Sequence, residues 1–100
     1  MRQYAIDRYV LDTLMADLVG HDRHPAAFIV YLALTARSLA EDGLAVTLSL
    51  RELAEATGLS KRAVQDAVQR LDRRKLVMVD RASPTAVPEY TVLKPWNRRR

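Results

Sequence analysis

Between Thr57 and Leu71 the chain reads TGLSKRAVQDAVQRL, a stretch that sets a forked guanidinium (Arg62) beside two carboxamides (Gln65, Gln69), with Lys61 before them and Arg73 just beyond. At about 100° per residue, Val64, Ala67, Val68 and Leu71 form one i, i+3, i+4, i+7 apolar stripe. Arg62, Asp66, Gln69 and Arg73 then fall near the opposite side, with Lys61 and Gln65 on a flank. Arginine matches guanine O6 and N7 with two parallel hydrogen bonds, and a glutamine amide does the same for adenine N6 and N7. Lys61 and Arg73 suit phosphates, and Ser60 with the free amides of a helix start suits another. Asp66 is repelled by phosphate; it either accepts from cytosine N4 or pairs with Arg62 or Arg70 one turn away, and the internal pair is preferred.

The local sequence has to hold this face outward. Ser49-Leu50-Arg51-Glu52 forms a capping box, which predicts a short helix carrying Leu50, Leu53 and Ala54 inward. Gly58 ends it, Leu59 anchors the turn and Ser60 caps a second helix running to about residue 74. Upstream, Ile6, Tyr9, Val10, Leu14 and Leu18 line one side of a helix over residues 3–19, with Arg8, Asp12 and Asp17 toward the other. After GHDRHP, a core helix over 25–40 puts Phe28, Tyr31, Leu32, Thr35, Ala36 and Leu39 on one face, and Gly43 supplies a left-handed terminator. AVTL at 45–48 reads as a brief strand. LVMV at 76–79 and EYTVL at 89–93 read as two more, joined by a loop with Arg81, Ser83, Pro84 and Pro88. Within the tail, 94–100, WNRRR reads as frayed, with Trp96 able to pack on the N-terminal helix or on a partner, or to close the core under the wing.

Composition narrows the partner. Of the cations and acids, residues 1–50 hold four arginines against six acids, and residues 51–100 hold twelve lysines and arginines against six, so the +4 net charge comes wholly from the second half. A polyanion is the natural partner of that half. No run approaches the roughly 18 apolar residues of a membrane span, and the charged N-terminus lacks a signal-peptide pattern, so a cytoplasmic location is expected. The absence of cysteine excludes disulfides, thiolate metal sites and a thiol nucleophile. His21-Asp22-Arg23-His24 reads as a solvated loop and not a zinc site. Ser49 and Ser60 are caps and not nucleophiles. Neither an enzyme, a metal nor a cofactor is expected.

SLRELAEATGLSKRAVQDAVQRLDRRKLV, residues 49–77, resembles the winged helix-turn-helix of bacterial transcription regulators, with the GntR-type pattern the nearest. The likeness rests on Ser49, Arg51, Glu52, Leu53, Ala54, Gly58, Ser60, Val64, Ala67, Leu71, Leu76 and Val77. It implies DNA contacts by Arg51, Ser60, Lys61, Arg62 and Gln65, and a hairpin wing (76–93) whose loop brings Arg81 to the minor groove or backbone. Two departures stand out: GntR-type regulators carry an effector domain after the wing, so no small-molecule effector is expected here, and Lys75 stands where that family usually has glycine.

The reading is a single domain over 1–100, mainly α with a small β-hairpin wing, its helix-turn-helix at 49–74. The expected function is sequence-specific binding of double-stranded DNA by a small transcription regulator acting through site occupancy. The alternative is a winged-helix protein-interaction adaptor or a replication or partition module. Two-fold pairing would place two recognition helices one or more turns of roughly 34 Å apart. A homodimer is therefore expected; the side made by Ile6, Tyr9, Val10, Leu14 and Leu18 either covers the core or forms the pairing surface, and both can hold at once.

Overall fold

A computed structural model describes residues 3–43 and 45–97. The N-terminal helix spans residues 8–21, later at both ends than the 3–19 expected, and is unusual in containing two π turns, Val10–Leu14 and Asp17–His21. The Asp7 carboxylate accepts from the Tyr9 N–H at 3.0 Å as the helix begins. A π turn closes i→i+5 bonds and winds about 4.4 residues per turn, so residues four apart fall about 33° short of a full turn where an α-helix carries them about 40° past it, and in a helix that mixes the two these drifts offset. Val10, Leu14 and Leu18 consequently all point into the core, while Leu11, Met15 and Val19 form a parallel outward ridge with large exposed surfaces. For Val10, Leu14 and Leu18 the core-covering reading holds and the pairing one does not. Of the five residues on that side, only Ile6 and Tyr9 remain partly exposed.

Helix α1 covers Pro25–Ala40, as expected, with His24 Nδ1 accepting from the Ala27 N–H at 3.3 Å and Pro25 preset for the first turn. It is apolar almost all round, so its buried face is wider than the sequence reading. Ala27, Val30 and Leu34 join Phe28, Tyr31 and Thr35 inside, while Ala36 is exposed. The left-handed terminating position falls on Asp42 (φ 59°) and not on Gly43, which follows at φ 76°. The Gly43 N–H closes on the Ser38 carbonyl at 2.6 Å, and that of Asp42 on Leu39 at 3.2 Å. α1 packs against the N-terminal helix, both following helices and the sheet.

Strand β1 (Val46–Thr47) leads to α2 (Leu50–Thr57), α3 (Lys61–Arg73), β2 (Val77–Asp80) and β3 (Glu89–Val92). The strands form one antiparallel sheet in the order β1-β3-β2, with Val46 opposite Tyr90 and Val77 opposite Val92. A mainly helical domain closed by a small hairpin is a winged helix-turn-helix. Val64, Ala67, Val68 and Leu71 of α3 and Leu53 of α2 are buried in the common core, each large side chain contributing about 1.5–3 kcal/mol. Of the placements open to Trp96, packing on the N-terminal helix is found. Residues 98–100 lie outside the described residues, but Trp96 stacks on Tyr9 with ring centroids 4.5 Å apart and donates from Nε1 to Asp7 at 3.0 Å. That bond, with the one from Tyr9, holds the Asp7 carboxyl below its ordinary pKa.

Candidate nucleic-acid interface

Local chemistry sets the direction of α3. At the start of α2 the Ser49 hydroxyl accepts from the Glu52 N–H at 3.0 Å and Glu52 accepts from the Ser49 N–H at 2.9 Å, completing the capping box. That amide bond is the main reason the Glu52 carboxyl titrates below its usual range. Gly58, at φ 80°, closes α2 on the Ala54 carbonyl at 2.8 Å. Thr57 Oγ1 donates to the Leu53 carbonyl and accepts from the Leu59 N–H at 3.2 Å, holding Leu59 half-buried in the turn. Ser60 then caps α3 through the Ala63 N–H at 3.0 Å. With its apolar stripe buried, α3 has one rotational setting.

Lys61, Arg62, Gln65, Gln69 and Arg73 are all exposed along its outer side, and Arg51, Ser60 and Arg81 are exposed as well. Ser60 has its hydroxyl committed to the cap. Arg62 lies 3.7 Å from Asp66, the internal pairing preferred from the sequence, with its side chain 85% exposed. Arg51 donates to Glu55 at 3.3 Å in the same i, i+4 geometry. Exposed pairs of this kind are worth roughly 0.3–0.5 kcal/mol, so either arginine can exchange its carboxylate for a phosphate or base edge at little cost. Arg81 reaches the Ala86 carbonyl of its own wing loop at 3.4 Å.

The other end of α3 is closed. Lys75 adopts φ 59°; its N–H bonds the Asp72 carbonyl at 3.0 Å and that of Leu76 bonds Leu71 at 2.9 Å, a Schellman cap whose two leucines, Leu71 and Leu76, are both buried. Arg74, the C-cap residue, turns its guanidinium away from the outer face: Nη1 donates to both oxygens of Asp22 at 2.7 Å and Nη2 to Asp17 at 2.5 Å. Arg70 lies 3.7 Å from Asp22, whose side chain is only 5% exposed. Burial pushes the Asp22 carboxyl up, but bonds from His21 and Arg74 and the charges of Arg74 and Arg70 outweigh it, leaving it below its ordinary value. The bond to Asp17 is the first reason the Arg74 pKa is raised.

Sequence reasoning missed this cluster, because its partners are more than fifty residues apart; the only local hint was an acid beside the histidine pair. Asp17, His21 and Asp22 offer ligand atoms within 4.8 Å of one another, so the segment taken for a solvated loop is more organised than that. Both carboxylates are nevertheless engaged by Arg74.

Anchored helices joined by a glycine turn, an outward face of amides and cations, and a hairpin behind them define the helix-turn-helix class. The helix-turn-helix domain family matches residues 24–77, more than half of the chain, and the chain belongs to that family. That membership points to DNA as the partner. No curated protein and no solved structure matches the chain. Among the described residues no helix is long and apolar enough to cross a membrane.

Proposed function

We propose that this domain binds double-stranded DNA sequence-specifically through the outer face of α3 and acts as a small transcription regulator by occupying its site. The observation that carries the reading is the exposed set Lys61, Arg62, Gln65, Gln69 and Arg73 on a helix whose opposite side is wholly buried. Arg62, Gln65 and Gln69 read base edges, while Lys61 and Arg73 hold phosphates. Ser60 adds the open amides of the helix start; Arg51 and Arg81 contact the backbone from α2 and the wing. The protein acts as a homodimer, and since Val10, Leu14 and Leu18 are buried, the pairing surface is the ridge of Leu11, Met15 and Val19 with Ile6 and Tyr9 beside it.

Affinity for random duplex DNA at two salt concentrations, followed by selection from a random duplex library, tests this. A regulator loses affinity steeply as salt rises, yields a preferred sequence, and as a dimer yields a palindrome. Arg62→Ala should cost about 1–3 kcal/mol on the selected site and relax one base pair, while Lys61→Ala weakens all sequences alike and flattens the salt slope by about one unit. Absence of duplex binding at low salt overturns the reading in favour of a protein-binding adaptor.

A further inference from the structure

Arg73 and Arg74 are adjacent in sequence, yet Arg73 is exposed and Arg74 half-buried; the guanidinium of Arg74 is bound by Asp22 and Asp17. The second π turn makes this possible. In an α-helix the five-residue step from Asp17 to Asp22 rotates the two side chains about 140° apart, whereas at about 4.4 residues per turn the offset falls to about 50°. Both carboxylates then converge on one guanidinium. The Asp22 N–H bonds the Asp17 carbonyl at 2.9 Å, so backbone and side chains support the same arrangement.

We propose that Arg74, held by Asp22 and Asp17, is a positioning residue that fixes the pose of α3 on DNA and so sets discrimination between base sequences. This rests on the reading of α3 as the recognition helix. Base-edge pairs demand both direction and distance, while attraction to phosphate is long-ranged and tolerant of small shifts. Loosening the C-terminal end of α3 therefore costs sequence preference before it costs general affinity. The cluster holds two acids (Asp17, Asp22) and two arginines (Arg70, Arg74), so it adds no net charge to the DNA-binding surface.

The test is Arg74→Lys, which keeps the charge but replaces a planar fork, whose two Nη atoms serve different acids, by a single nitrogen on a shorter stem that lacks the two-pronged geometry. Its dissociation constants are measured for the duplex selected by the wild-type protein and for a random duplex of equal length. The expected result is about a tenfold fall in the ratio of the two constants, with random-duplex affinity kept within about twofold and the salt slope unchanged. A purely structural role lowers both affinities by the same folded fraction and leaves the ratio intact; that outcome overturns the proposal. Asp17→Asn, which leaves the Asp22 pair in place, should lower the ratio two- to threefold and serves if Arg74→Lys fails to fold; an unchanged ratio there equally overturns it. A wild-type protein without sequence preference defeats the recognition-helix reading itself, and the positioning role falls with it.

Discussion

The two ends of α3 use the same residue type to opposite effect. Near the N-terminal end Arg62 sits 3.7 Å from Asp66, one turn away and open to water; past the C-terminal end Arg74 is held at 2.7 Å and 2.5 Å by acids from the N-terminal helix and the turn after it. An exposed ion pair within one helix is weak and exchangeable. One that joins distant elements around a buried carboxylate is not, since losing either partner strands a charge with little water. The arginines of α3 and its C-cap thus divide into those free to meet a ligand, Arg62 and Arg73, and those committed to the fold, Arg70 and Arg74.

The largest change expected at the closed end comes from Leu71→Ala, which empties a fully buried site and removes the leucine beneath the Schellman cap; urea unfolding should register a loss of about 3 kcal/mol. Asp22→Asn should cost about 2 kcal/mol by the same measurement, less than a fully stranded charge because Asp17 still holds Arg74. Its pH signature has a defined sign. The Asp22 carboxyl lies below its ordinary 3.8 in the folded protein, so its stabilisation is present above that pH and is lost as pH falls through the lowered value. The gap between wild type and Asp22→Asn should accordingly narrow below about pH 4; a gap that stays constant would show that the charge is not what stabilises the end.

Lys75→Gly relieves a left-handed side chain (φ 59°) and should raise stability by about 0.5–1 kcal/mol in the same urea series. Smallest is Asp66→Asn, at the open end, where the midpoint should move by less than about 0.5 kcal/mol while affinity for random duplex rises. A loss above 1 kcal/mol there would erase the contrast between the two ends.

What the sequence made legible is local. Ser49 with Glu52, Gly58, Ser60 and the stripe from Val64 to Leu71 each announce themselves within four residues, because caps and helical faces repeat at that range. The face of α1 was only half legible: a helix apolar on most sides has no strong preferred direction, and Val30 and Leu34 needed the neighbouring elements to claim them. The π turns leave no signature in the apolar pattern, so the outward ridge of Leu11, Met15 and Val19 is not legible in it. Arg74 and its two acids, separated by 52 and 57 positions, became visible only in three dimensions.

The reversal at Lys75 joins α3 to β2 through three residues, 74–76, whose amides are all bonded back into the helix. α3 and β2 therefore form one rigid corner. Docking it on a duplex freezes little additional backbone, so the entropy of ordering is met during folding and not at the moment of contact. Calorimetry should then give a heat-capacity change set by the contact area alone, without the larger negative value that accompanies coupled folding.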